Sequence, residues 1–309
     1  MARAIDKLRQ DGADRLKTIV PLSVRTRVVR MRLRFRIATA RFRTQPDFLI
    51  IGAQRSGTSS LYKWLSRHPN VVGSLRKEVE YFSVDYTKGE SWYRAHFPLT
   101  LRRRLAQTMG RPWQTFEATP DYLFDPRAPQ RVAAMLPNVK LVVLLREPAS
   151  RAVSHYHHSV RHHLEELDLE TALQAEHDRL APEWGLIDAD PAYQALPFRR
   201  FSYVARSRYG EQLERWFARF PSERMLVMRS EDLFADPAAS FRTIQTFLEL
   251  PEWEPPEFRN YSYTNPLVGS YDPPEESVTD FLAGELEEPN QKLVEMLGTS
   301  FSWDRTTTS

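Results

Sequence analysis

The stretch Phe48-Leu49-Ile50-Ile51-Gly52-Ala53-Gln54-Arg55-Ser56-Gly57-Thr58 constrains this chain more than any other. Four apolar residues, two of them β-branched, are too few for a typical helix and predict a buried strand. Gly52 and Gly57 then bracket a tight loop, where glycine lets the backbone turn and approach a ligand. From Thr58 the pattern is helical: Leu61, Trp64 and Leu65 share a face, and Arg67-His68-Pro69 ends the run. A strand, a glycine loop and a helix N-terminus together form a phosphate cradle, because free N–H groups and the helix dipole point at the anion. Locally, a turn whose glycines only relieve crowding reads the same way.

The loop keeps the spacing Gly52-xxxx-Gly57-Thr58 of a nucleotide triphosphatase loop, but no lysine precedes the threonine. Its cation is Arg55, inside the loop. Such a loop suits one phosphate-like group and is poorly equipped for Mg-ATP hydrolysis.

Further along, short strands are predicted at Val71-Val72-Gly73, at Thr115 to Ala118, at Lys140 to Leu145 and at Met225 to Met228. Helices are expected over residues 88–108, 127–136, from Pro148 to about His163, from Tyr209 to Phe220, from Asp236-Pro237 to about Leu248, and over 275–297. Residues 165–200, with Pro182, Pro191 and Pro197, read as a helix followed by an irregular insertion that covers an acceptor site. Strands separated by helices predict an α/β fold with a central parallel sheet, P-loop NTPase-like, flanked by helices. Ligands of such sheets bind beyond the carboxyl ends of the strands, where Arg55 and Arg146 both fall.

Composition narrows the setting. The chain of 309 residues is 41% hydrophobic and 27% charged, enough for one large domain or a domain with a small subdomain. It contains no cysteine, which excludes disulfides and thiolate metal sites and fits a reducing, cytoplasmic compartment. No apolar run approaches a membrane span, and the N-terminus lacks the apolar core of a signal peptide. Residues 1–46 hold 13 basic and 3 acidic side chains, and the rest hold 30 and 37. A basic arm (1–46) therefore precedes an acidic body (47–309). Val28 to Ile37 alternates apolar and basic residues with a strand-like period. Residues 25–43 are expected either to contact an anionic membrane surface or polyanion, or to form a loosely packed extension, with no specific nucleic-acid contact.

Three elements converge on one chemistry. The first is the loop, with Arg55, Ser56, Gly57 and the hydroxyls of Thr58, Ser59 and Ser60. The second is Arg146 at a strand end, a planar fork suited to a dianionic phosphate, with Ser154 on the following helix. The third is Lys77-Glu78, a cation beside a carboxylate. Two anion sites and a candidate base suggest a nucleotide carrying phosphates at two positions.

In these segments the chain resembles the sulfotransferases that use 3′-phosphoadenosine-5′-phosphosulfate (PAPS), nearest their heparan sulfate and related carbohydrate branch. GAQRSGTSSL resembles the family's 5′-phosphosulfate loop, KLVVLLREPASRAVSHY its 3′-phosphate motif, and LRKEVEYF a segment whose glutamate is the base. FEATPDYL resembles a segment lining the acceptor site, and YGEQLERWFARFPSERMLVMRSEDLFADP the helix–strand–helix that follows. The resemblance covers roughly residues 47–250. It implies that Arg146 and Ser154 grip the 3′-phosphate, that Arg55 and the loop hold the 5′-phosphosulfate, and that Glu78, beside Lys77, takes the acceptor's proton. It further implies transfer to a hydroxyl or amine of a saccharide or glycolipid, release of the desulfonated nucleotide PAP, and no metal.

Three positions depart from the family pattern. The loop cation is Arg55 where lysine is usual, and arginine stays charged and donates no proton to a leaving group. Glu80 stands where a histidine follows the base. The lysine-glycine-arginine loop that closes over the nucleotide has only Val268-Gly269-Ser270 as its nearest counterpart. Glu80 and His155 are the alternative bases. His155, His157, His158, His162 and His163 read as a polar helix face, since no HExxH-type motif accompanies them. Two other readings stay open at this level: a non-catalytic polyanion- or nucleotide-binding protein, and a small-molecule kinase on the same loop.

Overall fold

The computed structural model describes residue 31, residues 33–261 and residues 274–303. Five parallel strands form one sheet: β1 (Phe48–Gly52), β2 (Val71–Gly73), β3 (Gln114–Ala118), β4 (Lys140–Leu145) and β5 (Met225–Arg229). Their order is β2-β3-β1-β4-β5, with the glycine-loop strand at the centre. Phe48 pairs with Phe116 on one side and Lys140 on the other.

Successive side chains of a strand point to opposite faces, and both faces of this sheet are covered. Leu49 and Ile51 join Leu141, Val143 and Leu145 in one core layer, with Trp216 and Leu213 packed on it. Phe48 and Ile50 join Val142 and Leu144 in the other, against Leu61, Trp64 and Phe241. This two-sided burial explains why β1 and β4 read as unbroken apolar runs.

The helices, in chain order, are α1 (Thr58–Leu65), α2 (Glu90–Arg94), α3 (Thr100–Thr108), α4 (Ala128–Met135), α5 (Pro148–Arg161), α6 (Leu169–Gln174), α7 (Glu176–Ala189), α8 (Leu196–Phe201), α9 (Tyr209–Phe217), α10 (Ser230–Ala235), α11 (Pro237–Phe247) and α12 (Glu276–Leu297). Asp236 caps α11, its side chain accepting from Ala239 N at 3.0 Å, as Asp-Pro predicts.

Three expectations are corrected. The helix expected over 88–108 is broken in two, with Phe97-Pro98-Leu99 between α2 and α3. Residues 165–200 are three helices rather than one helix and an irregular insertion. Pro182 sits inside α7, while Pro197 occupies the first turn of α8, where its missing N–H costs nothing. The strand-like alternation ending at Ile37 gives no strand in its described part, because residues 33–38 are helical. Leu33 and Ile37, four apart, share a helix face and pack on the core. Residues 25–30 lie outside the described residues, as does Val268-Gly269-Ser270.

Candidate functional site

The loop after β1 is shaped by two glycines with different tasks. A Cβ on Gly52 would lie 2.4 Å from Leu123 Cβ, so the strand end needs a residue without a side chain. Gly57 has φ +86°, and a Cβ there would meet the Phe234 ring at 2.8 Å. Gly57 is also the N-cap of α1 and supplies no side-chain acceptor, so the first N–H groups of the helix stay outside its own ladder. No acidic residue occupies the first turn of α1, which leaves the positive helix end unopposed. Gln54 Oε1 is buried without a hydrogen-bond partner among the described residues. Ser56 Oγ is buried near the Tyr209 hydroxyl without a hydrogen bond of ordinary geometry. Unmatched buried polar atoms around an anion cradle fit a bound, hydrogen-bonding oxyanion.

Arg55 adopts φ +72°, a conformation uncommon outside glycine, which costs of order 1–3 kcal/mol. It brings the guanidinium across to α5, where Nε donates to Ser154 Oγ at 3.1 Å. The two anion elements read separately from the sequence, 99 residues apart, thus meet. Arg146 follows β4, and its carbonyl accepts from the Tyr209 hydroxyl at 3.1 Å. Its side chain has no hydrogen bond or ion pair to a described residue and lies close enough to the buried Arg151 to disfavour that residue's charge. Glu147 caps α5, accepting from Ala149 N at 2.9 Å and Ser150 N at 2.5 Å. This carboxylate anchors the helix that carries Ser154.

Lys77 and Glu78 reach the first turn of α1. Lys77 Nζ lies 3.3 Å from Ser59 Oγ and 3.5 Å from Glu78 Oε1. The side chain of Glu78 is 34% exposed and that of Lys77 only 17%, so the carboxylate is open to a substrate and the cation is largely covered. Ser60 sits differently from its neighbours: its hydroxyl accepts from Tyr261 N at 2.9 Å and lies 3.4 Å from Asn260 Oδ1. With Trp64 Nε1 donating to Arg259 O at 3.1 Å, it docks residues 259–261 onto α1.

A network not foreseen from the sequence lies behind Glu78. Glu80, at φ +61°, forms an ion pair with Arg199 of α8. The segment 165–200 thus reaches Glu80. Burial pushes the Glu80 carboxyl up, and Arg199 partly offsets this. Glu80 N donates to Thr119 Oγ1 at 3.2 Å, and Thr119 Oγ1 donates to Glu117 Oε2 at 3.0 Å. Glu117 also accepts from the hydroxyls of Tyr93 at 2.7 Å and Tyr122 at 3.1 Å. Its burial pushes its carboxyl up to about 7 despite these donors. Asp121 pairs with Arg206 at 2.6 Å. Burial alone would raise Asp121, but Arg206 and Arg199 together outweigh it and hold the carboxyl below its usual value.

The histidines of α5 divide. His155 is wholly buried, which drives its pKa well below the usual value, with Arg151 adding to the effect, so it is neutral. His158 is pushed down to about 4, first by burial and then by Arg55. Its ring meets that of His162 at 4.4 Å. Arg199 and Arg206 carried no local signal, because their partners lie far away in sequence, and the shifted carboxyls and imidazole of Glu117, Asp121 and His158 follow from burial and long-range neighbours rather than from the motifs that contain them.

Comparison with known proteins places the chain in a family. The sulfotransferase domain family matches residues 45–265. Heparan sulfate glucosamine 3-O-sulfotransferase 6 of Homo sapiens is 32% identical over 213 residues, covering 66% of this chain and 52% of that protein. Membrane-associated sulfotransferase kil1 of Dictyostelium discoideum is 26% identical over 324 residues, covering 84% of this chain and 66% of that one. The chain therefore spans about half to two thirds of the length of these two relatives. A solved sulfotransferase from Alicyclobacillus acidocaldarius superposes with a TM-score of 0.61 at 26% identity, covering 82% of this chain and 96% of that one. On this match and these relatives, the chain belongs to the sulfotransferase domain family and is related to its heparan sulfate branch.

Proposed function

We propose that this chain transfers a sulfuryl group from PAPS to a hydroxyl or amine of a saccharide-bearing acceptor. The observation that carries the reading is the 3.1 Å contact between Arg55 Nε and Ser154 Oγ, which joins a 5′-side anion loop to a 3′-side anion motif. Relatives named as heparan sulfate sulfotransferases support a saccharide acceptor.

In this reading Arg146 and Ser154 hold the 3′-phosphate. Arg55, Ser56, Thr58, Ser59 and the loop N–H groups, Gly57 among them, hold the 5′-phosphosulfate. Ser60 serves the same loop by fixing residues 259–261 against α1. The acceptor oxygen forms its bond to sulfur as the bond from sulfur to the bridging oxygen of the 5′-phosphate breaks. The acceptor's proton passes to Glu78, and the negative charge left on the phosphate is met by Arg55 and the α1 N-terminus. Arg55 stays charged throughout and acts electrostatically. Lys77, held between Ser59 and Glu78, keeps the base on the edge of the loop.

Incubation with sulfur-labelled PAPS and a panel of saccharide, lipid and phenolic acceptors tests this. Label is expected on saccharides, with turnover reduced about 10²–10⁴-fold in Glu78→Gln. Transfer confined to non-saccharide acceptors overturns the acceptor class, and undiminished turnover in Glu78→Gln overturns the base.

A further inference from the structure

Away from the cleft, two segments form one surface of unusual composition. Leu101, Leu105 and Met109 recur at i, i+4 and i+8 along α3 and its end, and each is more than half exposed. Met31, Phe35 and Phe42, on the segment that precedes β1, are likewise each more than half exposed. The segments are fastened together. Arg43 and Leu99 form an antiparallel bridge, and Thr44 N donates to Pro98 O at 3.0 Å. Arg36 Nη2 and Arg43 Nη1 both donate to Phe97 O, at 2.7 and 2.9 Å. Leu33 and Ile37 hold the inner face of the first segment on the core, so the apolar residues opposite are left outward.

Around these side chains lie Arg34, Arg41, Arg102, Arg104 and Arg111, all exposed. Residues 31–47 and 99–113 contain a single acid, Asp47. It is taken up by an ion pair with Arg103 and by Thr115 N at 2.7 Å. The two segments are therefore apolar and basic with no exposed carboxylate of their own, and the exposed Glu90 that borders them beside Gln45 is paired with Arg94 at 2.6 Å.

We propose that this face docks peripherally on an anionic lipid bilayer, the apolar side chains entering the headgroup boundary and the arginines meeting lipid phosphates and carboxylates. Charge complementarity selects the partner, because arginines flanking large apolar residues match a surface that is anionic outside and apolar beneath. A polyanionic chain would use the arginines and leave six large apolar side chains in water. The basic residues 1–30, with 8 Lys+Arg against 3 Asp, precede this face in the chain and add charge of the same sign. Asp47, which Arg103 grips, immediately precedes β1, whereas Arg55 follows the other end of that strand. A docked molecule thus presents its cleft away from the bilayer, toward soluble acceptors. The surface is independent of the transfer reaction.

Co-sedimentation of the full chain with vesicles tests the proposal, using phosphatidylcholine alone and an equal mixture with phosphatidylserine. Binding is expected only to the mixture. Arg102→Gln with Arg104→Gln should weaken it about fivefold per arginine, and Leu101→Ser with Leu105→Ser at least about tenfold. PAP binding should be unchanged in both variants, which shows that they fold. Equal binding to both vesicle types, or loss with the arginine pair but not the leucine pair, overturns it; the latter, with retention on a heparin column, indicates a polyanion. A wild-type dimer in light scattering that the leucine pair turns monomeric overturns it in favour of self-association.

Discussion

Lys77 Nζ lies 3.3 Å from Ser59 Oγ, tying the segment that carries Glu78 to the first turn of α1. A cation there serves two ends: it adds to the positive field of the helix N-terminus and restrains the neighbouring carboxylate. Lys77→Met is expected to lower kcat by more than tenfold and to weaken PAP severalfold, with partial recovery in Lys77→Arg. Steady-state kinetics and calorimetry separate the effects. Unchanged kcat in Lys77→Met would mean that Glu78 needs no such restraint.

Gly57 is irreplaceable for two independent reasons, its left-handed backbone and the Phe234 ring 2.8 Å from any added Cβ. Gly57→Ala should lose at least about 1–2 kcal/mol from the backbone alone, with the clash in addition. Urea unfolding should show the lower stability and calorimetry the lost PAP affinity. Wild-type behaviour in both would contradict the loop conformation.

Glu117 makes stability depend on pH. Burial raises its carboxyl from 4.5 to about 7 in the folded chain, so the folded state holds a proton that the unfolded chain releases in that window. Its contribution is complete below pH 4.5 and is lost as pH rises through about 7, with a slope of at most about 1.4 kcal/mol per unit. Glu176, also raised to about 7 by burial, adds the same sign. Glu117→Gln should therefore reduce the slope without abolishing it, as read from urea midpoints across this range. An unaltered slope would show that Glu117 is ionised when folded.

Arg206 and Asp121 form a buried pair at 2.6 Å, with Arg206 also donating to Ser202 Oγ at 2.7 Å and lying over the Phe124 ring. Removing one partner strands the other, so Arg206→Met should cost about 3–5 kcal/mol in chemical denaturation. Adding Asp121→Asn should recover part of that loss. Additive losses would mean that the two side chains do not interact.

The sheet was legible because its central strands are buried on both faces and so read as plain apolar runs, Phe48 to Ile51 and Leu141 to Leu145. The cap at Asp236 was legible because capping is local. Residues 165–200 were not, since a proline reads locally as a break, whereas Pro197 starts a helix and α7 tolerates Pro182. The alternation ending at Ile37 misled for a related reason: Leu33 and Ile37 satisfy a helix face as well as a strand face, and packing on the core decides between them. At the site, each anion element could be recognised alone, but the contact from Arg55 to Ser154 could not. Nor could Glu80 with Arg199, 119 residues apart. Local patterns carry no term for such pairs.

Recognition of a nucleotide phosphorylated at both ends is the central claim, and calorimetry on Arg146→Ala tests it most directly. The account predicts that PAP binding weakens about 10–100-fold, as for loss of a charge-assisted contact, while the analogue lacking the 3′-phosphate binds as it does to the wild type. Equal losses for both nucleotides, or no loss for either, would contradict it.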